Sequence, residues 1–144
     1  MKIVVCGSMK VSKKMVEIKI ELEKAEHKVL LPRHTEEYAE MKTSDHIYNE
    51  SVKNKINNDL IRDYYNKIKK GDAILIINDE LNNIKGYIGG NTFLEMGFSH
   101  ILNKKIFLLN EIPEMEYKDE IIAMKTTVLD GNIKKLERFY EEQG

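Results

Sequence analysis

The chain has 144 residues, of which 42% are hydrophobic and 33% charged, with 8 glycines and 2 prolines. A chain of this length buries about two-thirds of its unfolded surface and needs neither disulfides nor metals for a core, and the composition excludes disordered, collagen-like and low-complexity classes. Lys and Arg number 23 against 24 Asp and Glu, a net charge of -1, so no global basic excess points to nucleic acid or to an anionic membrane surface.

Residues 2–6 form a short run rich in β-branched side chains, read as a strand that ends at Gly7-Ser8. Val11, Met15, Ile18, Leu22 and Ala25 follow at the spacing of one helix face. Residues 27–31 make a second strand, stopped by Pro32. The polar stretch 33–48 reads as a loop with room for a short helix, of a length associated with lids and binding loops. Val52, Ile56, Leu60, Tyr64 and Ile68 form another helical stripe, closed by Gly71 at the C-cap position. Residues 72–78 are the clearest strand, and their unbroken apolar run suits a parallel sheet buried on both faces. A polar segment, 79–90, leads into a helix over 92–102. Residues 106–109 are a fourth strand, with Pro113 in the loop beyond. A helix at 118–124, a fifth strand at 126–129 and a closing helix at 132–142 complete the chain, with no internal repeat and no linker.

This alternation predicts one α/β domain spanning 1–144, a three-layer sandwich on a five-stranded parallel sheet. Right-handed crossovers and the flavodoxin-like (Rossmann-like) order 2-1-3-4-5 are the simplest arrangement. Ligands in such sheets bind beyond the carboxyl ends of the strands, where the order reverses between the first and third. The rule selects Gly7-Ser8, Asn78-Asp79 and the segment that follows. Cys6, the single cysteine, cannot form an internal disulfide and reads as a small core residue at the end of a buried strand. His27, His34, His46 and His100 share no metal-ligand spacing, and no GxGxxG or Walker A sequence occurs. Neither metal nor cofactor is therefore expected. The apolar runs are too short to span a membrane, and the first strand follows Met1 without a signal-peptide core. A soluble cytoplasmic protein is expected.

The segment Gly86-Tyr87-Ile88-Gly89-Gly90-Asn91-Thr92-Phe93-Leu94-Glu95-Met96-Gly97 is the least ordinary in the chain. Its glycines allow a ligand close to the backbone. Asn91 or Thr92 can cap the following helix, whose N-terminus favours an anion. Glu95 then has two readings. Thr92-x-x-Glu95 fits a capping box, which makes the glutamate a helix stabiliser; its place near the sheet's carboxyl edge makes it a reactive carboxylate. The loop Gly7-Ser8-Met9-Lys10-Val11-Ser12 also has two readings, a phosphate site at the first helix or plain N-capping by Ser8 or Ser12. Lys53, Lys55, Lys67, Lys69 and Lys70 read as a solvated helix face.

Gly-Asn-Thr-Phe-Leu-Glu-Met-Gly-Phe-Ser-His, followed by Asn-Lys-Lys-Ile-Phe-Leu-Leu, resembles the Glu-x-Gly-x-Ala helix and next strand of the nucleoside 2-deoxyribosyltransferase family. That family includes the deoxynucleoside 5'-monophosphate N-glycosidases. The opening Val-Val-Cys-Gly-Ser-Met and the strand Gly-Asp-Ala-Ile-Leu-Ile-Ile match as well, so the likeness covers nearly the whole chain. The resemblance implies that Glu95 is the nucleophile attacking C1' of the sugar, forming a glycosyl–enzyme ester that water or a second base resolves. It implies substrate-binding positions at Gly7, Ser8, Met9, Asn78, Gly89, Gly90, Asn91 and Thr92. Two positions depart from the pattern. An aspartate usual six residues before the glutamate is Gly89 here, and one usual in the preceding helix falls on Tyr64. Asp63, beside Tyr64, takes the role of acid if the helix shifts by one residue. Asp72 opens its strand and belongs to the opposite edge of the sheet.

Three readings stay open. The first is an enzyme that cleaves or transfers the N-glycosidic bond of a nucleoside or nucleoside 5'-monophosphate. The second is a catalytically silent nucleotide-binding or sensing module on the same scaffold. The third is a phosphoribohydrolase, whose Gly-Gly-x-Gly-Thr-x-x-Glu motif differs from Gly89-Gly90-Asn91-Thr92-Phe93-Leu94-Glu95 by one deleted residue. The expected partner is a small nucleoside or nucleotide, with no nucleic acid and no membrane. The resemblance further implies a homodimer or larger assembly.

Overall fold

The computed structural model describes residues 1–40 and 59–143. Strand β1 (Lys2–Cys6) is followed by a 3₁₀ turn (Met9–Val11), α1 (Ser12–Lys24), β2 (Lys28–Leu30) and α2 (Thr35–Ala39). Then come α3 (Leu60–Lys70), β3 (Ala73–Ile76), α4 (Gly90–Ile101), β4 (Lys105–Leu108), α5 (Lys118–Ala123), β5 (Thr127–Val128) and α6 (Lys135–Gln143). All five strands are parallel, in the order β2-β1-β3-β4-β5. The expected sheet is thus the observed one. The short helix allowed for in the stretch 33–48 is α2; Val52, Ile56 and His46 lie outside the described residues.

Strand alternation divides the core in two. Ile3, Val5, Ala73, Leu75, Ile77, Phe107 and Leu109 point to one side and pack with Met15, Ile18 and Leu22 of α1 and Leu136 of α6. Val4, Cys6, Ile74, Ile76, Ile106 and Leu108 point to the other, against Tyr64 and Ile68 of α3, Met96 of α4 and Ile121 of α5. Each such aliphatic side chain contributes about 1.5–3 kcal/mol on burial. The split follows from handedness. Running from β1 out to β2 places α1 on one face; turning back through β3 to β5 with the same hand places α3, α4 and α5 on the other. No helix among the described residues is long and apolar enough to cross a membrane.

Boundaries shift by one to three residues at most elements, and two shifts carry meaning. The fourth helix begins at Gly90, two residues ahead of expectation, so its N-cap is Gly89 and no side chain caps it. Asn91 and Thr92 therefore lie inside the first turn, and neither is the cap expected from sequence. Gly71 holds the C-cap of α3, but at φ -85°, ψ 164°, extended rather than left-handed. Its reason is steric: a Cβ there would stand 2.6 Å from Val4 Cγ2. Asp72 accepts from the Lys2 amide at 2.8 Å at the amino edge of the sheet, away from the site, as expected.

Gly71→Ala should therefore destabilise by about 1–3 kcal/mol through overpacking. The same change in a Val4→Ala background should cost much less, because the clashing methyl is gone. Urea unfolding of the four proteins of this cycle measures the coupling; a cost for Gly71→Ala that is equal in both backgrounds would refute the steric account.

Candidate active site

The carboxyl ends of β1, β2 and β3 open into a cavity of about 430 Å³, within the usual range for small-molecule sites. Gly7, Ser8, Met9 and Lys10 enter it from the loop after β1, and Pro32 and Arg33 from the end of β2. Leu81, Asn82, Tyr87 and Gly89 come from the loop after β3, and Gly90, Asn91, Thr92 and Glu95 from α4. Leu60, Asp63 and Tyr64 of α3, with Tyr38 of α2, close the wall. Nine of the ten residues singled out from sequence for chemistry or binding therefore meet in one place. The tenth, Asn78, is not among the lining residues.

Close backbone approach sets the cavity's floor. A Cβ on Gly7 would lie 3.2 Å from the Ile77 carbonyl, so the chain leaving β1 rests directly on the chain leaving β3. Ser8 caps the 3₁₀ turn by accepting from the Lys10 amide at 3.2 Å, which realises the capping alternative for that residue. Gly86 sits at φ +72°, and a Cβ there would come within 2.1 Å of the Glu111 carbonyl. Only glycine fits.

Asn78 explains why that approach is held. Its side chain is fully buried; Nδ2 donates to the carbonyls of Gly86 (3.4 Å), Asn110 (3.1 Å) and Glu111 (3.0 Å), and Oδ1 accepts from the Asn110 amide at 2.9 Å. The substrate-binding role expected of Asn78 is thus corrected: its hydrogen-bonding groups are engaged in tying the loops after β3 and β4 together. Asp79 next to it accepts from Lys14 Nζ at 2.7 and 2.8 Å and from Asn110 Nδ2 at 3.0 Å, joining the same loops to α1.

Glu95 lies in the second turn of α4 and is 6% exposed. Because the cap is Gly89, the capping-box spacing to Thr92 is not a capping box: Thr92 is itself helical and buried. The carboxylate lies near two other buried groups. Burial pushes the Cys6 thiol well above its ordinary value of 9.0; the charge of Glu95 pushes it further, and a hydrogen bond with Tyr64 pulls it partly back. Burial likewise raises the Tyr64 phenol well above 10.0, with Cys6 and Glu95 adding to it. The Tyr64 hydroxyl donates to the Val5 carbonyl. Cys6 is therefore a neutral core thiol under Glu95, not a nucleophile.

Asp63 stands on the wall with Arg33 Nη2 at 3.8 Å and Lys67 Nζ at 3.6 Å from its oxygens. Arg33, Tyr38, Leu60 and Tyr87 were not singled out in the sequence. The switch-point rule reaches Arg33 as the residue after Pro32 at a strand's carboxyl end, and Tyr87 stands inside the glycine-rich segment. Nothing local marks Tyr38 or Leu60. The entrance to α4 is fixed from outside the site: Tyr117 stacks on Phe93 with ring centroids 4.3 Å apart, and its hydroxyl donates to the Ile88 carbonyl. His34 pairs with Glu37 at 3.1 Å and is not among the cavity's lining residues.

Two outcomes follow from these contacts. Asn78→Asp places an acceptor against three carbonyls and should destabilise by roughly 3 kcal/mol or more, beyond the cost of Asn78→Ala, which only leaves them unpaired; equal urea midpoints for the two variants would contradict the clamp. Cys6 and Tyr64 hold their protons more tightly folded than unfolded. Stability should then be flat below about pH 8 and fall above about pH 8.5, as the unfolded thiol ionises while the folded one does not. Cys6 should correspondingly resist iodoacetamide at pH 8 until the protein is unfolded, and fast labelling of the native protein would contradict its burial.

No family model and no curated protein matches this chain. Among solved structures it is similar to the CMP N-glycosidase BcmB of Clostridium botulinum, at 18% identity over 89% of this chain and 85% of that one, with a TM-score of 0.49. It is also similar to the 2-deoxyribosyltransferase of Bacillus psychrosaccharolyticus, at 20% identity over 75% of this chain and 71% of that one, with a TM-score of 0.44.

Proposed function

We propose that this chain, as a single domain over residues 1–144, is an enzyme that cleaves or transfers the N-glycosidic bond of a nucleoside or nucleoside 5'-monophosphate, with Glu95 as nucleophile. The observation that carries the reading is the position of Glu95. It is a carboxylate, nearly excluded from water, on the wall of a nucleoside-sized cavity, in a helix it does not cap. The motif around it supplies the chemistry through the resemblance already described.

In this reading a Glu95 oxygen attacks C1' and the C1'–N bond breaks, its electron pair leaving with the base. The sugar is then held as an ester, which water hydrolyses or a second base displaces, freeing the carboxylate. Burial serves this step because a poorly hydrated carboxylate stabilises oxocarbenium-like charge more strongly. The backbone amides of Gly90, Asn91 and Thr92, which no side chain caps, and the loop Gly7-Ser8-Met9 with Lys10 suit the sugar and its phosphate. Asp63 faces the cavity as the partner for the base, as acid or as hydrogen-bond acceptor.

One observation favours the sensing module as a second reading. Among the described residues, the carboxylates that line the cavity are Glu95 and Asp63, and Asp63 stands between two cations. That setting suits a hydrogen-bond acceptor better than a proton donor for the leaving base.

The test is chromatographic base release across ribo- and deoxynucleosides and their 5'-monophosphates. Glu95→Gln keeps size and neutral hydrogen bonds but removes the attacking charge. It should lower release by roughly a thousandfold or more, with ligand binding and melting temperature little changed. Release undiminished in Glu95→Gln would refute the mechanism. Wild-type protein whose melting temperature rises with nucleotide yet which frees no base would establish the sensor instead.

A further inference from the structure

Helix α4 is covered on one side only, although its sequence is built to be covered on two. Thr92, Glu95, Met96 and Ser99 form its buried face. On another side Leu94, Gly97, Phe98 and Ile101 recur at i, i+3, i+4 and i+7, with Leu94 47% and Ile101 78% exposed. Glu95 is the one acidic or basic side chain, histidine aside, in these 12 residues. Helix α1, across the sheet, instead turns Lys13, Glu17, Glu21 and Lys24 to solvent. A helix apolar all round belongs in an interior.

The outer stripe opens into a groove of about 370 Å³, walled by Tyr65 of α3 and by Met124 just after α5. Tyr65 meets Phe98 edge-on at 5.3 Å. Ile61, one turn before Tyr65 on α3, is 43% exposed and extends the apolar surface. At Gly97 an added Cβ would touch nothing within 4 Å, so the stripe has a notch in its middle.

We propose that a second copy of this chain covers this face, α4 packing antiparallel on α4 of the partner about a two-fold axis between Gly97 and Phe98. The stripe is complementary to itself in that register. Leu94 meets Ile101 of the partner subunit, and Phe98 of each copy fills the notch left by Gly97 of the partner subunit. Large side chains thus meet large ones at the ends and a ring enters a gap at the centre, as an isologous interface requires. No ionised side chain lines the groove, so a partner bearing charge would leave it unpaired, whereas a second copy brings the same uncharged face. Stable dimers bury about 800 Å² per subunit, and the flanking surfaces of α3 and α5 enlarge the contact beyond the single helix. The proposal does not depend on what the cavity binds.

Cross-complementation tests both the occupant and the register, read as mass by sedimentation velocity of the full chain at tens of micromolar. The wild type should sediment as a dimer of the 16.8 kDa chain. Leu94→Lys and Ile101→Glu should each be monomeric with unchanged circular dichroism, since both positions are exposed within one chain. An equimolar mixture of the two should dimerise again, because it sets the introduced lysine of one copy against the introduced glutamate of the other and restores one Leu–Ile contact. A monomeric wild type would overturn the proposal. Dimers that survive in Ile101→Glu would place the interface elsewhere, and variants that are each monomeric yet do not recombine would overturn the antiparallel register.

Discussion

Parallel strands cannot be joined by tight turns, and the crossovers that join them keep one hand. That constraint organises this molecule. From β1 the chain runs outward to β2 and then returns past its starting point to β3, so the segments leaving β1 and β3 diverge toward opposite helical layers. A crevice between them is unavoidable, and the cavity occupies it. Helices α3 and α4, which bring Asp63 and Glu95 to it, share a face because the chain does not reverse again after β3.

A crevice alone does not make a site; the backbone must approach closely and stay there. Gly7 against Ile77 and Gly86 against Glu111 provide the approach, while Asn78 holds it through three carbonyls and one amide. These bonds lie in a fully buried setting, where leaving any of the groups unpaired costs about 1–3 kcal/mol. Beneath Glu95, neutral Cys6 and Tyr64 form a floor that carries no charge of its own and keeps water out. The active carboxylate is therefore placed by helix geometry and isolated by its neighbours.

Much of this was legible in the sequence because it is periodic or local. The run 73–77 could only be a strand buried on both faces, and Met15, Ile18 and Leu22 could only face one way on a helix. Gly7, Gly90 and Glu95 followed from the switch-point rule and a motif. What stayed hidden depends on contacts between distant residues. Asn78 was placed correctly at the edge but assigned to a ligand, because its partners Asn110 and Glu111 lie a whole crossover away. The capping-box reading failed by a shift of two residues at the helix start, which the glycines before Asn91 allow and propensity cannot resolve. Arg33 and Tyr38 join the site only through the fold of the chain after β2. Gly71 kept its predicted place for a different reason, since a neighbouring strand's valine, not a left-handed turn, demands it.

The bond from Asn78 Nδ2 to the Gly86 carbonyl closes the chain between them into a small ring pinned at its base. Within it Leu81 and Ile84 pair across Asn82 and Asn83, both at positive φ, so the tip is a self-contained hairpin turn. Leu81 and Asn82 nevertheless reach the cavity. Residues 80–85 thus behave as a cassette: substitution or length change there alters what the cavity admits, while the anchors on either side leave Glu95 and its helix where they are. Diversification of specificity in this scaffold has a ready place to act that is mechanically uncoupled from the reactive carboxylate.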